Sequence, residues 1–274
     1  MKRKILSMAA AAAVAAALTA CGTPGDQSTP APVSAAGAAA TGPKPTIVLL
    51  HGAFEDASSW NQVVKRLQAE SYPVFAPAVP LRGVAADVSS VEGAIDAIPG
   101  PKILVAHSYG GLLISELASR TPDVTALVFV AAFIPQAGET AGQLNSQFPG
   151  SLIGPDTTHA VSGPDGPGLY VNTESFAQLF ADGLPAPDSA VSAAGQRPIL
   201  ASAFDEEITS TAPANIRKYA IVATRDKAIS PEAERFEAQR AHAAITEVES
   251  PHAVPAANPQ AVVDVIHQAA ATQG

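Results

Sequence analysis

Residues 102–111 read KILVAHSYGG, and the fold turns on how this stretch is interpreted. Lys102 to Ala106, apolar after its lysine, has the composition of a strand buried on both faces. His107-Ser108-Tyr109-Gly110-Gly111 then leads straight into a helical pattern carrying Leu113, Ile114 and Leu117. A serine at so tight a strand-to-helix turn is held exposed, with its hydroxyl above the sheet edge. That geometry demands small residues two before and two after the serine, and here they are Ala106 and Gly110. The usual pattern is G-x-S-x-G, so the first position departs, with alanine in place of glycine. A plainer alternative makes Ser108 only a cap on the helix that follows.

Working outward, strands and helices alternate. Thr46 to Leu50 is an apolar run with β-branched members, a strand buried on both faces. Trp60, Val63, Val64 and Leu67 share one helix face. Pro73 to Pro77 reads as a short strand, Ala85 to Ile98 as a helix stopped by Pro99-Gly100, and Val124 to Val130 as a further buried strand. Then come a strand at Tyr219–Val222, a helix opened by Ser230-Pro231, a short strand at Ile245–Val248 and a last helix opened by Asn258-Pro259. Such alternation predicts an α/β domain with a parallel sheet covered on both faces. From about 135 to 214 it lapses into Gly- and Pro-rich loops, with helical fragments around Phe176-Leu179-Phe180 and Ile199-Leu200-Phe204. An insertion at the carboxyl edge of a parallel sheet sits over the place where ligands bind, and is read here as a cap.

A serine hydroxyl is a weak nucleophile near neutral pH and needs an imidazole within reach, itself oriented by a carboxylate. In strand–turn–helix sites of this kind the acid follows a later strand and the base follows the last one. Asp226 stands directly after the strand 219–222, and His252 directly after 245–248. Asp226 standing alone would equally be a loop carboxylate paired with Arg225 or Lys227, and Glu139 is the one other acid worth weighing. His51 reads as a brace for its loop, His107 as the variable residue of the turn, and His159, His242 and His267 as surface positions. Donors for an oxyanion are expected from the backbone N–H of Tyr109 and from that of Ala53, in the loop after residues 46–50. Phe54, Phe176 and Phe180, with Leu152, Ile153 and Leu179, are expected to line an apolar cavity or, equally, to form the core of the cap.

With these residues in place, the chain resembles the α/β-hydrolase superfamily over roughly residues 46–274. IVLLHGAFEDASSW, ILVAHSYGG, VFVAAF, VATRDKAI and ESPHAV resemble its bacterial esterase-like branch, related to plant salicylate-ester esterases and hydroxynitrile lyases. The resemblance implies the α/β-hydrolase fold, a mostly parallel sheet with helices on both faces and a helical cap insertion. It also implies a cofactor-free Ser-His-Asp hydrolase, with Ser108, Asp226 and His252 as the triad and Ala53 and Tyr109 as oxyanion donors. The lyase branch carries threonine where Gly52 stands and lysine where Ala253 stands, and both departures point towards ester hydrolysis. The expected activity is cleavage of small to medium uncharged carboxylic esters. Lactone, thioester or carbon–carbon bond hydrolysis on the same scaffold, or a non-catalytic ligand-binding lipoprotein, are the alternatives.

Composition bounds the rest. The 274 residues are 47% apolar, enough for a large core, and the single cysteine excludes a disulfide framework or a multi-thiolate metal site. A net charge of −9 argues against nucleic-acid binding. Lys2, Arg3 and Lys4 precede an alanine-rich apolar stretch that is short for a membrane span and reads as a secretory signal. It closes on Leu18-Thr19-Ala20-Cys21, which resembles the lipobox of bacterial lipoproteins. Residues 1–20 are therefore expected to be a signal peptide, Cys21 a lipidation site and 21–45 a flexible tether. The resulting protein would be exported and held to the cell envelope by its anchor, with no other membrane contact.

Overall fold

The computed structural model describes residues 44–271. The expected signal peptide, Cys21 and all but the end of the tether lie outside the described residues. The first half runs β1 (Thr46–Leu50), α1 (Asn61–Ala69), β2 (Val74–Phe75), α2 (Val84–Asp96), β3 (Lys102–Ser108), α3 (Gly110–Leu117) and β4 (Val124–Ala132). The cap follows as α4 (Ala141–Ser146), β5 (Thr158–Gly163), β6 (Gly166–Val171), α5 (Thr173–Phe180), α6 (Ala186–Ala194) and β7 (Ile199–Leu200). The chain then returns through β8 (Arg217–Ala223), α7 (Pro231–Arg240), β9 (Ala244–Val248), α8 (Val254–Ala257) and α9 (Pro259–Ala271).

Six strands form one sheet in the order β2-β1-β3-β4-β8-β9, and each neighbouring pair is parallel. The central strands are apolar at successive positions because both faces are covered. Ile47, Leu49, Ile103, Val105, Val128 and Val130 face α1 and α9, packing with Trp60, Leu67, Val263 and Ile266. Val48, Leu50, Leu104, Ala106, Leu127 and Phe129 turn the other way, towards α2, α3 and α7, and join Val88, Leu113, Leu117 and Ala233. Burying an aliphatic side chain of this size contributes roughly 1.5–3 kcal/mol, so the two faces together supply the main driving force for folding. Ser230 caps α7 by accepting from the Glu232 N–H, with Pro231 at the first helical position.

The cap differs from the expectation of a purely helical insertion. β5, β6 and β7 form a separate three-stranded antiparallel sheet. Ile199-Leu200 is a strand in it, followed by a 3-10 turn at Ala201–Phe204 rather than by an α-helical fragment. The hairpin escapes an apolar-run reading because β5 is exposed along most of its length, so no buried face selects its residues. Its local signal is Pro164-Asp165-Gly166 at the hairpin tip, a turn sequence. Phe176, Leu179 and Phe180 of α5 are buried in the same apolar cluster as the α2–α3 face of the main sheet, so the cap shares that core.

Candidate active site

The sheet's carboxyl edge gathers the predicted site residues. β3 continues through Ser108, which takes φ +55°, a left-handed conformation that a serine adopts only under constraint. The register between β3 and β4 shifts between His107 and Ser108, where the chain leaves the sheet for α3. Close packing explains the small residues on either side. A Cβ on Gly110 would lie 3.0 Å from the Leu50 carbonyl and 3.3 Å from the Ala106 Cβ. Alanine at 106 is thus accommodated because 110 is glycine. On the opposite wall, a Cβ on Gly52 would stand 2.7 Å from the Ser108 Cβ.

Asp226 and His252 come together from the loops after β8 and β9. His252 Nδ1 lies 2.5 Å from Asp226 Oδ2, and both side chains are sealed from solvent. The other carboxylate oxygen, Oδ1, accepts from the N–H groups of Ala228 at 2.7 Å and Ile229 at 2.9 Å. The carboxylate is therefore spoken for on one side and offered to the imidazole on the other. A neutral imidazole facing an ionised carboxylate donates from Nδ1 and keeps its lone pair on Nε2. Nε2 is buried and has no hydrogen-bond partner among the described residues. Ser108 and His252 are not hydrogen-bonded to each other here, and such contacts often form only when substrate is bound.

Neither the Ala53 N–H nor the Tyr109 N–H donates to a protein acceptor among the described residues. Tyr109 begins the turn into α3, and its ring is locked: the phenol donates to Asp87 Oδ2 at 2.9 Å. Burial, reinforced by the Asp87 carboxylate, pushes this phenol well above its ordinary range. Burial also raises the Asp87 carboxyl, against the N–H of Arg82 and the Tyr109 hydroxyl that hold it. Asp87 therefore anchors the residue whose backbone is the expected oxyanion donor. Nothing local in the sequence signals this, since the partners are separated by 22 residues.

The aromatic residues divide. Phe54 and Phe176 line a cavity of about 680 Å³ together with Glu55, Ser58, Asn61 and Leu184. Phe180 instead covers His252, its ring centroid 4.9 Å from that of the imidazole, edge to face, while its carbonyl accepts from the Ala253 N–H at 2.8 Å. Phe54 links the two regions by touching Phe180 at 6.0 Å and stacking on Phe204 at 6.4 Å. Phe204 in turn lines a second cavity of about 730 Å³ with Phe148, Ile153 and Leu169. Leu152 is partly exposed and lines neither cavity.

The remaining candidates lie elsewhere. Glu139 is held by Arg240 and by the Gln136 N–H, away from the imidazole. Arg225 faces Asp182 and Glu249 at 3.9 Å each and leaves Asp226 to His252. His51 Nε2 accepts from the Val79 N–H at 3.0 Å, with Nδ1 3.0 Å from the Gly52 carbonyl; burial lowers its pKa and keeps it neutral. No cluster of three or more His, Cys, Asp or Glu suited to a metal occurs among the described residues. His107, read as the variable residue of the turn, is fully buried and bonded through both ring nitrogens.

Comparison with known proteins places this arrangement in context. The family described as the alpha/beta hydrolase family matches residues 47–265. The esterase PIR7B of Oryza sativa subsp. japonica is 27% identical over 257 residues, which cover 81% of this chain and 94% of that protein. The crystal structure of a pyrethroid hydrolase from Sphingobium faniae superposes with a TM-score of 0.69 at 22% identity, covering 84% of this chain and 98% of the other. A methylesterase from Arabidopsis superposes at 0.70 and 16% identity, covering 82% and 98%.

Proposed function

The chain belongs to the alpha/beta hydrolase family, and from that premise we propose that it hydrolyses small to medium uncharged carboxylic esters through an acyl-enzyme. The observation that carries this reading is the buried Asp226–His252 pair: its Nε2 has no partner among the described residues, and the His252 carbonyl lies 2.9 Å from Nε2 of His107, the residue before Ser108.

In this reading Nε2 of His252 takes the proton from the Ser108 hydroxyl as the oxygen attacks the ester carbonyl. Asp226, fixed by two N–H donors, keeps the imidazole in the required tautomer and stabilises the imidazolium that forms. The Ala53 and Tyr109 N–H groups receive the developing oxyanion. His252 then protonates the departing alcohol, and a water activated by the same nitrogen releases the acid from Ser108. An uncharged substrate is favoured by the apolar rings next to the base, Phe180 against His252 and Phe54 against Phe180. The relative PIR7B bears the name esterase, which supports the ester over the other bonds this scaffold cleaves. Cyanohydrin cleavage is disfavoured by Gly52, where a side chain would meet the Ser108 Cβ.

Ser108→Ala should bring hydrolysis of a p-nitrophenyl short-chain ester to near background. A fluorophosphonate probe should label the natural protein and not the variant. Retained activity would remove Ser108 from the mechanism, and absence of labelling would favour a ligand-binding protein that does not turn over. A substrate screen on lactones and thioesters separates those chemistries from ester cleavage.

The location of the enzyme belongs to the same proposal. The lipobox-like Leu18-Thr19-Ala20-Cys21 supports export, cleavage before Cys21 and attachment to the cell envelope through the lipidated cysteine, with residues 21–45 as tether and 46–274 as catalytic domain. No helix among the described residues is long and apolar enough to cross a membrane. Cys21→Ser should abolish incorporation of radiolabelled fatty acid and release the protein from the membrane fraction.

A further inference from the structure

We infer that His107 is held as a buried imidazolium which fixes the backbone of the base to the oxyanion turn, making His107 and Glu55 positioning residues of the reaction. This rests on the assignment of Ser108 as nucleophile and His252 as base.

His107 Nδ1 lies 2.8 Å from Glu55 Oε2, and His107 Nε2 lies 2.9 Å from the carbonyl oxygen of His252. A backbone carbonyl only accepts, so Nε2 must carry a hydrogen. The proton between Nδ1 and Glu55 then sits on one partner or the other. Glu55 Oε2 also faces the Gly52 N–H at 3.4 Å, a donor that favours the ionised carboxylate. With the carboxylate ionised, both ring nitrogens donate, and only an imidazolium does that. The titratable groups around the ring are Glu55 and His51 from the turn after β1, Asp226 from the loop after β8, and His252 from the loop after β9. Glu55 and Asp226 supply negative charge, and the edge of Trp60 closes another side, with centroids 6.4 Å apart. Burial opposes the charge on His107, but Glu55, the His252 carbonyl and Asp226 outweigh it and raise the pKa. Burial likewise opposes the charge on Glu55, yet His107 brings its pKa below the ordinary carboxylate range.

The connectivity gives this cation its role. It is adjacent in sequence to Ser108, it holds the carbonyl of the residue that is the base, and its counter-ion belongs to the turn that carries Gly52 and Ala53. Three separate segments supply the three parts of the machinery, the turn after β1, the end of β3 and the loop after β9, and the Glu55–His107–His252 chain ties all three. With Glu55 ionised, a neutral ring would satisfy one of its two acceptors and release the other.

The decisive measurement is the protonation state of the histidine rings, read by nitrogen NMR of the histidine-labelled full chain and assigned by the signal lost in His107→Gln. His107 should keep both ring protons at neutral pH, where an ordinary imidazole has mostly lost one, and Glu55→Gln should convert it to a neutral ring there. The same variant should lower kcat about 10- to 100-fold with KM little changed, since small misplacement of reacting groups costs that much. It should also move the alkaline fall of kcat at least one pH unit lower. Fluorophosphonate should still label Ser108 in Glu55→Gln, more slowly. A neutral His107 ring in the natural protein at pH 7 overturns the inference, as does a Glu55→Gln enzyme with unchanged kcat and alkaline limb. Failure of the underlying reading looks different: the natural protein itself would not be labelled. The NMR readout needs no activity, so the inference stays testable even if Glu55→Gln does not fold.

Discussion

Asp226 and His252 form a sealed pair in which the carboxylate cannot turn: Oδ2 lies 2.5 Å from Nδ1 while Oδ1 is held by the N–H groups of Ala228 and Ile229. Asp226→Asn should therefore be more damaging than its size suggests. The amide oxygen would stay with the two backbone donors, and the amide nitrogen would face Nδ1. The imidazole would then have to carry its proton on Nε2, the atom required to accept from serine. The expected outcome is a loss of roughly 10³- to 10⁴-fold in kcat with thermal unfolding little changed, measured on a p-nitrophenyl ester. A loss under tenfold would mean that the tautomer is not fixed by this carboxylate.

Gly52 sets the space available to Ser108. Its missing Cβ would stand 2.7 Å from the Ser108 Cβ and 3.2 Å from His107 Nδ1, so alanine must displace one wall of the site. Ser108 is already held at φ +55° and has little freedom to yield. Gly52→Ala should reduce ester turnover by about 10²-fold, more than it reduces stability. Parallel measurement of kcat and thermal midpoint separates the two effects.

Much of this arrangement was legible in the sequence because it rests on local signals. The strand leading to Ser108, the small residues Ala106 and Gly110, and the positions of Asp226 and His252 just after short β-branched runs, the first buried and the second largely exposed, all follow from short-range patterns. The strand predicted at 102–106 extends to Ser108 itself, and that at Pro73–Pro77 shrinks to Val74–Phe75, because ends depend on pairing partners the sequence does not show. The β5–β6 hairpin escapes the sequence pattern because β5 is exposed along most of its length and β6 opens on Gly-Pro-Gly, so neither carries an apolar alternation. Glu55–His107 and Asp87–Tyr109 were not read because their partners lie 52 and 22 residues apart. A histidine flanking a nucleophile looks the same in sequence whether it is idle or doubly bonded.

Gly111 tests the packing that holds the turn in place. A Cβ there would lie 2.0 Å from the backbone carbonyl oxygen of Phe133, just past the end of β4. Backbone cannot step aside as a side chain can. Gly111→Ala should destabilise the fold by at least about 1–3 kcal/mol despite the higher helix propensity of alanine. Urea unfolding reads this directly, and a stabilised variant would contradict the close contact.

Glu237 makes stability depend on pH in an unusual direction. Its side chain is buried, Oε2 accepts from the Ile134 N–H at 2.6 Å, and Oε1 has no partner among the described residues. Burial pushes its pKa up to about 8, against the pull of that N–H and of Arg240. In the unfolded chain the same carboxyl titrates near its ordinary value of 4.5. Between those values the unfolded state binds fewer protons than the folded one, so this residue's contribution to stability falls as pH rises through the interval and levels off above it. The depressed Glu55 acts in the opposite sense: its contribution is present above the ordinary carboxylate pKa and is lost as pH falls through the depressed one. Comparing Glu237→Gln with the natural protein isolates the first effect, because glutamine keeps an acceptor for Ile134 and has no proton to lose. The variant's urea midpoint should gain on that of the natural protein steadily from pH 5 to pH 8. Midpoints that stay parallel across that range would show that the carboxyl is ionised in the folded state.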